Sequence, residues 1–122
     1  MHKIVGLKKR KEFLAVSQSG EKWVTKAFVL QIRPWANEES HGDASLRFGI
    51  TASKKTGNAV RRNRIRRRIR ALAKEILPIA SNPRYDFVFI ARFDAWDKDY
   101  TQLKADLYHS LKGLNLLNSK SY

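Results

Sequence analysis

Apolar side chains recur along this chain with two periods, about 3.6 and 2, and the elements follow from them. From Leu7 to Gln18, the residues Leu7, Phe13, Leu14, Ala15 and Val16 supply the apolar surface of a short helix. Ser19-Gly20 ends it, glycine being the usual residue past a helix C-terminus. Lys22 to Arg33 alternates as a strand, with Val24, Phe28, Leu30 and Ile32 on one face and Ala27, Val29, Gln31 and Arg33 on the other. Pro34 closes that run, and the polar stretch Asn37 to Asp43, which holds Gly42, reads as a connection. A second strand, Leu46 to Ser53, sets Leu46, Phe48, Ile50 and Ala52 against Arg47, Gly49, Thr51 and Ser53. The second of these faces is small and polar, as either an ordinary solvent face or a surface with room for a ligand is.

Thr56-Gly57-Asn58 breaks the strand, and Asn58 is placed to cap a helix. Ile65, Ile69, Leu72 and Ile76 follow at spacings of 4, 3 and 4, one stripe of an α-helix that runs to about Leu77, where Pro78 stops it. At 100° per residue Asn63, Arg67, Arg70 and Lys74 point away from the stripe, with Arg64 and Arg66 on its flanks. Asp86 to Arg92 is apolar on both parities, as a strand covered on both faces is. Strand, long helix and buried strand form a crossover unit, so these two strands are expected to run parallel. Asp97 or Asp99 caps a last helix whose buried stripe is Tyr100, Leu103, Leu107, Leu111 and Leu114.

Length adds that the 122 residues suit one domain, expected to span 1–114 and to be followed by a loose tail, 115–122. The composition is 43% hydrophobic, enough for a real core, yet the net charge is +14. Ten of the 25 Lys and Arg fall within Lys54 to Lys74, which contains no acid before Glu75. A charge run is ordinarily a solvated face or a disordered tail. The threaded apolar stripe excludes the tail: this helix docks by one face and presents guanidinium on the other. Arginines crowded on one helix repel unless something anionic faces them, and the guanidinium fork matches phosphate and stacks on bases. Nucleic acid is therefore the expected partner. A membrane-surface helix would carry Trp, Phe and Leu on its apolar side. Lys8, Lys9, Arg10 and Lys11 load the start of the first helix with the unfavourable sign, either for a ligand phosphate or as a fraying end.

Catalytic chemistry is hard to find. There is no Cys, so thiolate metal sites and Cys nucleophiles are excluded, in keeping with a cytoplasmic setting. His2, His41 and His109 are scattered, Asp94, Asp97 and Asp99 do not match a calcium loop, and Lys54-Lys55-Thr56-Gly57 lacks the leading glycine of a P-loop. The N-terminal residues lack the apolar run of a signal peptide, and no stretch approaches the ~20 apolar residues of a membrane span. No catalytic residue, metal site, membrane or small-molecule substrate is expected. Any cleavage of nucleic acid in which the chain takes part needs its chemistry supplied from elsewhere.

The run from Phe48-Gly49-Ile50-Thr51-Ala52-Ser53-Lys54-Lys55 through Arg62-Asn63-Arg64 to Arg67 closely resembles the signature of the bacterial ribonuclease P protein subunit. The likeness extends to Leu7-Lys8-Lys9 with Phe13, to Phe28-Val29-Leu30 and to Ile90-Ala91-Arg92. It implies a single-domain α+β fold, αβββαβα, as a two-layer sandwich resembling ribosomal-protein-like folds. The sheet is expected to be four-stranded and mostly antiparallel, with a left-handed parallel βαβ crossover against the general right-handed rule. The resemblance also implies a subunit that performs no catalysis itself, whose partners are a catalytic ribonuclease P RNA and precursor tRNA, Mg²⁺ being used by the RNA. The product is the mature tRNA 5′ end.

By the same resemblance, Lys54, Lys55, Arg62, Asn63, Arg64 and Arg67 approach the catalytic RNA. Lys9, Phe13, Val29, Arg66, Arg70 and Arg92 line a cleft for the 5′ leader, with Asn63 at its margin. Neighbouring helical arginines can serve both surfaces. Two positions depart from the family pattern: Ser17 and Gln31 stand where aromatics are frequent, which implies less stacking on the leader and more weight on charge. A basic ribosomal protein, or another structural ribonucleoprotein component, is the alternative reading.

Overall fold

The computed structural model describes residues 3–80 and 83–117. Three helices and five strands follow one another as β1 Ile4–Gly6, α1 Arg10–Gln18, β2 Glu21–Val24, β3 Phe28–Pro34, β4 Leu46–Thr51, α2 Ala59–Ile76, β5 Tyr85–Ala91 and α3 Tyr100–Gly113. The strands form one sheet in the order β1-β4-β5-β3-β2. β4 pairs parallel with β5 across α2, as the crossover pattern predicts, and β5–β3 and β3–β2 are antiparallel.

Several expectations are corrected. The sheet has a fifth strand, β1, parallel to β4 in the register Ile4↔Leu46 to Gly6↔Phe48. With two parallel and two antiparallel pairings the sheet is evenly mixed rather than mostly antiparallel. The expected strand Lys22 to Arg33 is in fact the hairpin β2–β3. Its turn is closed by a side chain: Thr25 Oγ1 accepts from the N–H of Phe28 at 3.0 Å and of Ala27 at 3.2 Å, and Thr25 N donates to Phe28 O at 2.8 Å. Leu7 follows directly on β1, its N–H donating to Phe48 O at 2.8 Å, and α1 starts three residues later than expected.

Side chains alternate across the strands, and the register separates two faces. One face carries Phe28, Leu30, Ile32, Leu46, Phe48, Phe87 and Phe89, which pack with Ile65, Ile69, Leu72 and Ile76 of α2 and Leu103, Leu107 and Leu111 of α3. All four stripe residues of α2 are 2% exposed or less. On the other face α1 sets Val16 against Leu7 and Val88, with Phe13 and Ile90 at the margin. The sheet therefore carries helices on both faces, in place of the expected two layers. The sequence after α3 stays packed as far as Leu116, whose N–H donates to Leu111 O at 2.8 Å and which is 2% exposed. Of the expected loose tail, residues 118–122 lie outside the described residues.

Candidate nucleic-acid interface

The face of the sheet beneath α1 consists of three cross-strand rows. The first is Thr51–Ile90–Val29–Val24, the second Gly49–Val88–Gln31–Lys22 and the third Arg47–Asp86–Arg33. Helix α1 covers the second and third. Val16 rests on Val88. Gly49 leaves room for the Phe13 ring, since a Cβ at that position would stand 2.5 Å from it. The first row is left open: Thr51 and Val24 are exposed, Val29 and Ile90 half-buried. Gln31 lies in the row under α1 and Ser17 is exposed, so the face next to α1 has Phe13 as its aromatic wall.

Beyond Gly6 the short β1 ends, and a cavity of about 180 Å³ opens along β4 among Leu7, Phe13, Gly49, Ile50, Arg66 and Arg70. Arg66 is steered there by Asn63 Oδ1, which accepts from its NH1 at 3.2 Å, and by Ala52 O, which accepts from its NH2 at 3.4 Å. Asn63, Arg66, Arg67 and Arg70 continue as one wall of an adjoining open groove of about 490 Å³ with Val60. Of the expected leader residues the fold thus brings together Phe13, Arg66 and Arg70. Val29 floors the open row. Arg92 lies at the turn of the β2–β3 hairpin, NH1 donating to Thr25 O at 3.0 Å. Lys9 lines a different depression, with Lys11, Glu12, Arg33 and His41.

Helix α2 starts as the sequence predicts, Asn58 Oδ1 accepting from Arg61 N at 2.9 Å. Its arginines divide by helical angle. Arg62, Arg66 and Arg70 lie on the flank towards β4, with Nε of Arg62 buried and unpartnered among the described residues. Arg61, Arg64 and Arg68 lie on the opposite flank, against the 3-10 turn Phe93–Trp96. Arg68 donates NH1 to Ala95 O at 2.8 Å and NH2 to Lys98 O. Burial, aided by the nearby charge of Arg64, pushes the Arg68 guanidinium below its ordinary value. Arg67 is fully outward and exposed. Among the described residues none of the seven α2 arginines pairs with a carboxylate. The expected set Arg62, Arg64 and Arg67 is therefore spread over both flanks and the crest of the helix rather than gathered on one face. Lys54 and Lys55 stand exposed on the 3-10 turn Lys54–Thr56, whose entry Ser53 caps by accepting from Lys55 N at 3.3 Å.

Periodicity missed a second charged group, in the third row. Asp86 is 0% exposed and Arg47 7%. Arg47 and Arg33 converge on Asp86, Trp35 Nε1 donates to its Oδ1 at 2.8 Å, and Arg33 continues to Glu39 at 2.5 Å. Arg47 NH1 also reaches Glu12 on α1 at 2.6 Å, while the other oxygen of Glu12 accepts from the N–H of Lys8 and of Lys9, each at 2.9 Å. Glu12 thereby closes the helix start that Lys8 to Lys11 leave electrostatically unfavourable. The one trace of this network in the sequence is an ionisable residue inside each of two otherwise apolar strands, Arg47 and Asp86, which marks a buried charge without naming its partner. Here basic residues are neutralised internally by carboxylates; among the described residues the arginines of α2 are not.

Among the described residues no group of three or more His, Cys, Asp or Glu is placed to hold a metal ion, and no helix is long and apolar enough to cross a membrane. The family model described as Ribonuclease P matches residues 1–115. The ribonuclease P protein component of Paramagnetospirillum magneticum is 39% identical over 111 residues, covering 91% of this chain and 83% of that protein. That of Shouchella clausii is 38% identical over 117 residues, covering 96% and 91%. The solved structure of the Staphylococcus aureus RNase P protein superposes with a TM-score of 0.73 at 33% identity, covering 93% of this chain and 97% of that one.

Proposed function

Because the chain belongs to the ribonuclease P protein family, we propose that it acts as the non-catalytic subunit that holds precursor tRNA against a catalytic RNA in the cytoplasm. The reaction is hydrolysis of the phosphodiester joining the 5′ leader to the tRNA, and the RNA and the Mg²⁺ it binds supply that chemistry. The protein's own part is binding and orientation. A single-stranded leader enters over the open row Thr51–Ile90–Val29, with Phe13 as a stacking wall and Arg66, Arg70 and Arg92 as phosphate partners. Stacking on an aromatic accepts any base, which suits a subunit serving many precursors. Lys54, Lys55, Arg62, Asn63, Arg64 and Arg67 face the catalytic RNA, while Lys9, on the far side of α1, meets the leader where it leaves the cleft.

The observation that carries this reading is the meeting of Phe13 with Arg66 and Arg70 in one cavity at the β4 edge, with no acid lining it. An aromatic face and two cations at one opening are what a flexible single strand requires. Equilibrium binding of precursors with and without a leader, to the holoenzyme assembled on the ribonuclease P RNA of the same genome, tests it. A leader that strengthens binding for the unaltered protein, with the gain lost in the double variant Arg66→Ala/Arg70→Ala, is expected. Equal affinity for leader-bearing and leaderless substrates would refute the cleft assignment.

A further inference from the structure

On the flank of α2 away from the leader cleft, two aromatic rings meet a guanidinium that has no acceptor among the described residues. The 3-10 turn Phe93–Trp96 packs against α2 and against the turn Lys54–Thr56. Trp96 is half-buried at the edge of the main core, whereas Phe93 is 55% exposed. The Arg61 guanidinium lies over both rings, 4.4 Å from the centroid of Trp96 and 4.9 Å from that of Phe93, and Arg64 joins Trp96 at 5.2 Å. Arg64 also spends Nε on Trp96 O at 3.2 Å. Among the described residues the Arg61 side chain makes no hydrogen bond and no ion pair, its backbone N–H alone being bonded.

Stacking holds the plane of a guanidinium while leaving its N–H edge free, and that forked edge fits a phosphate. Phe93 offers an aromatic surface that the core does not use, and a planar base is the partner that matches it. Lys54 and Lys55 add positive charge on the adjoining turn; Asp94 and Asp97, exposed beside Phe93, oppose it. With acids at its border the patch is poorly suited to a duplex, which offers phosphates but keeps its bases stacked inside. A strand with a splayed base supplies both chemistries at once.

We propose that Arg61 and Phe93 clamp one unpaired nucleotide of the ribonuclease P RNA, its phosphate on the guanidinium edge and its base on the Phe93 ring. This contact rests on the subunit reading given above and adds a base-stacking site to a flank otherwise assigned only charge.

Affinity for the ribonuclease P RNA of the same genome, measured at several salt concentrations, tests the clamp. Phe93→Ala and Phe93→Leu are expected to weaken binding about five- to hundredfold with an unchanged salt slope, and Phe93→Tyr to restore it. Arg61→Gln is expected to weaken binding and to flatten the slope of log K against log salt by roughly 0.7–0.9. Unaltered protein that binds this RNA while Phe93→Ala binds within twofold of it overturns the clamp and leaves the subunit reading standing. Full rescue by Phe93→Leu also overturns it, because an apolar contact then suffices. Unaltered protein that fails to bind this RNA overturns both.

Discussion

Arg47 of β4 grips Asp86 of β5 across the parallel pair, Nε donating to Oδ1 at 2.8 Å and NH2 to Oδ2 at 2.7 Å. With its remaining nitrogen Arg47 holds Glu12 of α1 at 2.6 Å. The apolar contact under α1 is small, centred on Leu7, Val16 and Val88. This ion network is therefore a principal fastener of the helix that carries Phe13, and it links the buried face of the sheet to the geometry of the proposed leader cleft.

Removing one partner of a buried pair leaves the other charge unpaired, which typically costs about 3–5 kcal/mol. Asp86→Ala takes from Arg47 and Arg33 the buried carboxylate they share, leaving Arg47 with Glu12 alone and Arg33 with Glu39 alone, and is expected to lose stability approaching this order in urea denaturation. Glu12→Gln frees only the helix and is expected to cost less, yet to weaken leader binding through Phe13. A stability change for Asp86→Ala below about 1 kcal/mol would show that the network is not holding the sheet.

Acid should loosen the same network. The hydrogen bond from Arg33, opposed by burial and aided by His41 and the Ala36 N–H, lowers Glu39 to about 2. The N–H of Lys9, with those of Lys8 and the charge of Arg47, outweighs burial to lower Glu12. At Asp86 burial pushes upward, but hydrogen bonds from Arg47, Trp35 and Arg33 together hold the carboxyl below its usual value. Carboxyls depressed on folding stabilise above their unfolded pKa of about 4, and that contribution is lost as pH falls towards the folded value. The urea midpoint is expected to be flat from pH 7 to about 5 and to fall between about 4.5 and 2, with a shallower fall in Glu39→Gln.

Gly49 is where backbone and cleft meet. Gly49→Ala places a Cβ 2.5 Å from the Phe13 ring, and such overpacking costs about 1–3 kcal/mol. The ring has to move, so leader affinity is expected to drop while its salt slope stays unchanged. That pairing, read from binding isotherms at several salt concentrations, separates a displaced stacking wall from a lost charge.

Two neighbouring arginines of α2 are expected to behave oppositely. Arg68 is spent on the carbonyls of Ala95 and Lys98, so Arg68→Ala leaves two acceptors unpaired and is expected to cost about 1–3 kcal/mol of stability. Its effect on the salt dependence of RNA binding should be slight. Arg67 is exposed and, among the described residues, unpaired, so Arg67→Ala should keep stability and flatten the salt slope by roughly 0.7–0.9.

The arginine helix was legible in the sequence because both its signals are local: an apolar stripe at 3.6 spacing and a capping Asn58. Ile65, Ile69, Leu72 and Ile76 are buried as the stripe requires. β1 was not legible, since three residues carry too little periodicity and its partner, β4, lies some forty positions away. The β2–β3 turn was hidden because Thr25 closes it with a hydroxyl, without the glycine or asparagine that marks tight turns. The Arg47–Asp86 pair depends on strand order, which no local pattern contains. In the same way, the helix pattern showed which residues of α2 face outward, but not that the turn Phe93–Trp96 would take up Arg61, Arg64 and Arg68.

The division of labour between protein and RNA is tested most directly by incubating precursor tRNA with the protein alone, with the ribonuclease P RNA of the same genome alone, and with both, at low Mg²⁺. Release of the 5′ leader only when both are present is the expected result. Cleavage by the protein alone would contradict a subunit whose cations bind and orient RNA without cutting it.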